Sequence, residues 1–182
     1  MHHAKDLVTL FNRLFKASFC TVLQGDGEEP IYLPAEGADV CHRIVFTRDY
    51  YASALHEISH WCVAGEARRQ LVDYGYWYEP DGRSPEQQRA FEAVEVVPQA
   101  LEWIFSAAAG VKFRVSADNL NGRGEDTGLF TEQVRAQVGR YLSQGLTGRA
   151  ALFCQALIDF YSRHKAFQSF EKQMLDIKGC QP

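Results

Sequence analysis

The sequence predicts an α+β domain, in which a small mixed sheet of about three or four short strands packs with about six helices and an HExxH helix lies in the core. Three observations predict it. Strand-type runs are short and fall mainly between Cys20 and Thr47, helical apolar spacing fills most of the remaining chain, and the apolar run Leu55-His56-Glu57-Ile58-Ser59-His60-Trp61 carries HExxH. On a helix, residues four apart share one face, so His56 and His60 stack one turn above the other. Two ring nitrogens placed in this way can reach one metal ion.

Residues from about Ala4 to Ala17 place Leu7, Leu10, Phe11, Leu14 and Phe15 at helical spacing, with Asp6 favourable to the dipole near the start. Cys20 to Leu23 is a short β-prone run, and Gln24 to Pro30 reads as a turn by composition. Ile31 to Leu33 follows as a second short strand, then a turn at Glu36-Gly37. His42 to Thr47 is the best strand, rich in β-branched and aromatic residues, and its edge is a place for a substrate backbone to pair. It runs into the motif helix, predicted over Tyr51 to Ala64 with Gly65 as its stop.

Glu66 to Leu71 reads as another short helix, and Tyr74, Tyr76, Trp77 and Tyr78 form an aromatic cluster that suits either a core or a binding wall. After a turn at Pro80-Asp81-Gly82, Ser84 and Pro85 are the cap and first residue of the longest helix, which runs to about Ala108 and ends at Gly110. Pro98 predicts a kink inside it. Lys112 to Val115 reads as a short strand, and Ser116 to Gly128 as a polar loop long enough for a lid. Helices are predicted over Thr131 to Ser143, Gly148 to Tyr161 and Lys165 to Asp176, with His164 structural.

At 182 residues the chain fits one domain, 1–182, with a sizeable core. A net charge of −4 argues against broad contact with a phosphate backbone, so direct nucleic-acid binding is not expected; Arg68 and Arg69 make one small basic patch. The five cysteines are widely spaced and contain no CxxC pair, which excludes a zinc knuckle or redox dithiol of that kind and suits a reducing compartment. No apolar run reaches membrane-spanning length, so the expectation is a cytoplasmic protein without membrane contact. His2 and His3 read as a solvent-exposed terminus.

A metal site needs a third protein ligand, and four acids compete. Glu79 has the spacing some zinc peptidases use, but it precedes Pro80, which disfavours helical geometry. Glu66 follows the glycine at 65, where another peptidase class places its third ligand. On the long helix, Glu92, Glu95, Gln99 and Glu102 share a narrow arc, while from Phe91 to Phe105 the rest of the wheel is apolar and carries no lysine or arginine, as a helix enclosed nearly all round requires. A buried acidic seam without basic partners calls for a cation. Glu95, near the middle of the arc, is the preferred ligand, with Glu92 and Glu66 as alternatives and Gln99 and Glu92 as orienting groups. A His-His-Glu set allows a zinc hydrolase with Glu57 as general base, a 2-His-1-carboxylate Fe(II) oxygenase, or a structural metal site.

Ser53 to Cys62, Asp73 to Tyr78 with Pro80 to Arg83, Phe91-Glu92, Glu95-Val96 and Pro98 to Trp103 together resemble the bacterial elongation factor P hydroxylase family over nearly the whole chain. The resemblance implies a monooxygenase-type enzyme that hydroxylates the β-lysylated lysine of elongation factor P, with Fe(II) as the divalent metal and molecular oxygen as co-substrate. It also implies a fold similar to metal-dependent ribonucleases and zincin-like proteins. His56 and His60 match the motif histidines; Glu95 rests as much on the helical arc. Glu57 matches the motif but has no hydrolytic duty in an oxygenase. Tyr76 and Trp77 would line a channel for the modified lysine, with Glu102 or Asp73 meeting its ammonium group. A zinc metallopeptidase is the alternative reading, and a metal-dependent ribonuclease a weaker one.

Overall fold

The first helix, α1 (Ala4–Phe19), buries Leu7, Leu10, Phe11 and Phe15 along one face. His2 and His3 are exposed, as expected, and the His3 N–H donates to Asp6 Oδ2 at 3.2 Å at the start of the helix. A computed structural model supplies this description, which covers residues 2–37, 40–74, 83–116 and 128–176. These residues belong to two units, Met1–Tyr76 and Trp77–Pro182.

In the first unit, β1 (Thr21–Gly27), β2 (Ile31–Leu33) and β3 (His42–Thr47) form a sheet in the order β1-β3-β2. β1 runs parallel to β3 with Thr21 opposite His42, and β2 antiparallel with Ile31 opposite Val45. The mixed sheet is as predicted, but two details differ. Gln24 to Gly27 belong to β1, not to a turn. The Asp26 N–H donates to the Arg48 carbonyl at 2.7 Å, and the Arg48 N–H to the Gly27 carbonyl at 2.9 Å. The register shifts between Gln24 and Gly27, and Asp26 takes a left-handed conformation with φ 68°. Moreover, β3 is the central strand, so both its edges are taken and it has none to offer a substrate.

β1 is a border strand, and a side chain stands in for a further neighbour. Asn12 Oδ1 accepts from the Leu23 N–H at 2.7 Å, and Asn12 Nδ2 donates to the Leu23 carbonyl at 3.4 Å. Asn12→Ala removes both bonds from partly buried backbone groups and should cost on the order of 1–2 kcal/mol in urea unfolding. An unchanged midpoint would show that water replaces the amide at no cost.

Helix α2 (Tyr51–Val63) follows β3 after a short turn, and the Ser53 hydroxyl accepts from the Thr47 N–H at 3.1 Å. It buries Ala54, Leu55, Glu57, Ile58, Ser59 and Trp61. Trp61 packs among Phe11, Phe15 and Phe19 of α1, with ring centroids 4.9, 4.9 and 5.5 Å away. The helix ends because Ala64 turns extended, at ψ 125°, one residue before the predicted glycine stop. Arg68–Gln70 make a single 3-10 turn in place of the predicted helix, and Asp73 then pairs with Tyr32 of β2 through two backbone bonds of 2.7 and 3.1 Å.

His42 Nδ1 accepts from the Ala35 N–H at 3.0 Å, and the ring stacks on Tyr32. Burial, with the positive charge of Arg69 adding to it, holds this imidazole below its usual value of 6.5. Such a histidine contributes stability that is complete above the unfolded pKa and is lost as pH falls through the folded one. The unfolding midpoint of the wild type should therefore drop relative to His42→Asn as pH is lowered from 6.5. Parallel midpoints for the two proteins across that range would dismiss the effect.

The second unit is helical among the described residues: α3 (Pro85–Ala109), α4 (Gly128–Gln144), α5 (Gly148–Phe160) and α6 (His164–Asp176), the last three packing on or beside α3. Ser84 caps α3 as predicted, accepting from the Gln87 N–H at 3.2 Å, while Gln87 Oε1 accepts from the Ser84 N–H at 2.7 Å. Pro98 stays within the continuous helix, and Gly110 closes it at φ 80°. Phe105 meets Phe153 of α5 edge-on, and Phe130, Val134 and Val138 are the buried side of α4.

Two expectations fail in this unit. Lys112 to Val115 forms no strand; Phe113 instead stacks on Trp103 at 5.1 Å. α3 is not enclosed all round either, since Ala93 and Val94 face solvent. His164, expected between two helices, opens α6 and forms an exposed pair with Asp159 at 2.9 Å. The molecule is α+β, and among the described residues no helix is long and apolar enough to cross a membrane.

Candidate metal centre

On α2 the i, i+4 spacing brings His56 and His60 together. Their Nε2 atoms lie 3.0 Å apart, and their ring planes meet at 69°. Both rings are half-buried, and Glu57 between them is 6% exposed. Two imidazole nitrogens this close cannot both point bare lone pairs at each other. Either a ring hydrogen lies between them or a cation does. Metal–nitrogen bonds of about 2.0–2.1 Å let one ion touch both. The pair thus fits the metal that the motif implies.

On α3 the predicted seam is present in its centre. Glu95 is 0% exposed and Gln99 1%, whereas Glu92 and Glu102 are half-buried. Gln99 Nε2 donates to Glu95 Oε2 at 3.3 Å and to the Ser116 carbonyl at 2.7 Å, while Gln99 Oε1 accepts from the Ser116 N–H at 3.0 Å. One amide therefore steadies a buried carboxylate and holds the backbone at Ser116. Gln88, buried one turn before Glu92, donates to Glu92 Oε1 at 3.1 Å. A carboxylate as enclosed as Glu95 is costly to keep charged without a compensating cation or hydrogen bonds.

His56 and His60 on α2 and Glu95 on α3 are the candidate metal ligands among the described residues, each unit contributing its own. Glu66 is exposed. Asp73 accepts from Arg68 Nε at 2.7 Å, so its carboxylate is already committed to a guanidinium. The basic patch is committed as well, since Arg69 donates to the Ala64 carbonyl at 2.7 Å. Tyr76, Trp77, Tyr78 and Glu79 lie outside the described residues, as do the turn at 80–82 and most of the loop expected from Ser116 to Gly128. Sequence reasoning missed two members of the α3 network. Gln88 extends the Glu92-Glu95-Gln99 arc by one turn and was legible from helical spacing. The Ser116 backbone carried no signal, because any residue type supplies the same N–H and C=O.

The chain is similar to known proteins over most of its length. A model of the elongation factor P hydroxylase family matches residues 10–171. A relative from Haemophilus influenzae, an elongation factor P lysine hydroxylase, is 53% identical over 161 residues, covering 88% of this chain and 90% of the relative.

Proposed function

Because the chain belongs to the elongation factor P hydroxylase family, we propose that it hydroxylates the β-lysylated lysine of elongation factor P at a metal held by His56, His60 and Glu95. The observation that supports this reading most directly is the pair of Nε2 atoms of His56 and His60, 3.0 Å apart, in a chain of this family, with the fully enclosed Glu95 carboxylate as the proposed third ligand. A 2-His-1-carboxylate donor set suits Fe(II), which when bound would supply the activation of molecular oxygen for a monooxygenase-type reaction.

The protein groups divide the remaining work. His56 and His60 would offer their Nε2 atoms from one face of α2, and Glu95 a carboxylate oxygen. Gln99 would act beside the site by fixing the Glu95 carboxylate through its 3.3 Å bond. Glu57, buried between the two histidines, would serve as a supporting catalytic group and not as a hydrolytic base. Tyr76 and Trp77 would wall the channel for the long modified lysine, and Glu102 would meet its ammonium group. Residues 1–182 would act as a single metal-dependent hydroxylase domain with a zincin-like helix at its centre. It would work in the cytoplasm, where a translation factor is met, without membrane or direct nucleic-acid contact. The commitment of Arg68 and Arg69 to bonds within the chain favours the protein substrate over RNA.

The test is the intact mass of β-lysylated elongation factor P after incubation with the iron-loaded enzyme in air. A gain of one oxygen atom that requires Fe(II) is the expected result. No gain, or cleavage of peptides by the zinc-loaded protein instead, would overturn the proposal. Glu57→Gln separates the chemistries further. A hydrolytic base cannot lose its carboxylate without losing the reaction, by about 100-fold or more, whereas the hydroxylase should keep measurable turnover.

A further inference from the structure

Cys20 and Cys41 take no part in the centre described above. Cys20 joins α1 to β1, and Cys41 immediately precedes β3. Since Thr21 stands opposite His42, these cysteines occupy the preceding step of the same parallel ladder, and the His42 N–H donates to the Cys20 carbonyl at 2.7 Å. Their sulfurs approach to 3.1 Å, with the Cys20 thiol donating to Cys41 Sγ and, at 3.7 Å, to the Val40 carbonyl. A disulfide needs a separation only about 1 Å shorter. Cys20 is exposed and Cys41 partly so, whereas Cys154 is buried and its thiol is pushed up to about 12, chiefly by burial.

The backbone adds a second observation. Cys20 follows α1 at φ 45° and ψ 43°, a left-handed conformation. Glycine or asparagine is the usual residue at such a helix end, because a Cβ is disfavoured there. A strained side chain kept at an accessible position points to a task for that side chain.

We propose that Cys20 and Cys41 form a reversible redox site that closes to a disulfide when the protein meets a peroxide. The Cys41 thiolate attacks one peroxide oxygen; an S–O bond forms, the O–O bond breaks, and the second oxygen leaves as water after taking a proton. The Cys20 thiol then attacks the Cys41 sulfenic sulfur. The S–S bond forms, the S–O bond breaks, and the hydroxyl leaves as water with the Cys20 proton. In sum, two thiols are oxidised by two electrons and one hydrogen peroxide is reduced to two waters. Cys20 takes the resolving role because it is the donor in the thiol pair. Its hydrogen bond to Cys41, then burial, hold its pKa above the ordinary value against the smaller opposing pull of Lys16. A small thiol such as glutathione reopens the bond by exchange.

The experiment treats the folded full-length protein with hydrogen peroxide, alkylates the remaining thiols, and maps the unreduced peptides. A linked Cys20–Cys41 peptide, a mass loss of two hydrogens and full recovery with dithiothreitol are expected, at a rate about tenfold or more above oxidation of Cys154. In Cys20→Ser, dimedone should trap a sulfenic acid at Cys41; in Cys41→Ser, labelling at Cys20 should fall by a similar factor. The wild-type map needs no variant. The proposal is overturned if both thiols stay alkylatable after peroxide treatment, if the bond forms only in urea, or if the lost hydrogens map to another pair.

Discussion

His60→Ala is expected to abolish metal binding and lower hydroxylation of elongation factor P by more than about 100-fold, since even loss of a group that merely orients a ligand costs 10–100-fold. The ring can be removed without dismantling the helix. His60 is half-buried near the end of α2, its backbone carbonyl accepts from Ala64 whatever its side chain, and alanine is a strong helix former. Circular dichroism should therefore be unchanged while metal content, measured by elemental analysis, falls to background. His56→Ala should behave alike, because the Nε2 atoms act as a pair at 3.0 Å. Full metal content in either variant would remove the histidines from the centre.

The second large effect is expected at Glu95. Glu95→Gln keeps the shape and loses the charge, so metal affinity should fall by about 100-fold and hydroxylation with it. Glu66→Ala, at an exposed position, should leave both intact. The stability of the metal-free protein separates a ligand from a structural acid. Removing a charge from a fully enclosed position is neutral or stabilising when the charge served only to bind a cation. Metal-free Glu95→Gln should then unfold at the same urea concentration as wild type or a higher one. A marked loss of stability without metal would assign Glu95 to the fold instead. Gln99→Ala should give a smaller, roughly tenfold loss of metal affinity, because it leaves the carboxylate in place but unsteadied.

Much of this organisation was legible in the residues. HExxH placed the two imidazoles on one face of α2, Ser84-Pro85 and Gly110 marked the ends of α3, and the helical arc singled out Glu95 and Gln99, the two most deeply buried of its polar members. What escaped depends on partners that local sequence does not name. Gly25-Asp26-Gly27 has the composition of a turn, yet bonds from Arg48 draw it into β1. Lys112 to Val115 has strand-like residues, yet Phe113 finds Trp103 and not a strand. Val94 lies on an apolar wheel, yet is 50% exposed because the wheel cannot tell which of its sides meets a neighbour. The approach of Cys20 to Cys41 follows from the register of β1 on β3, which their spacing of 21 residues does not reveal.

The two fastenings at Ser116 and Asp73 differ in kind, and salt tells them apart. Gln99 grips Ser116 with an uncharged amide through both backbone groups, so dissolved ions have little to screen. Asp73 is tied to Arg68 by opposite charges, with the arginine largely in solvent, and that attraction fades as the Debye length shrinks. Concentrated salt thus slackens the Arg68–Asp73 turn while the hold on Ser116 stays as it is.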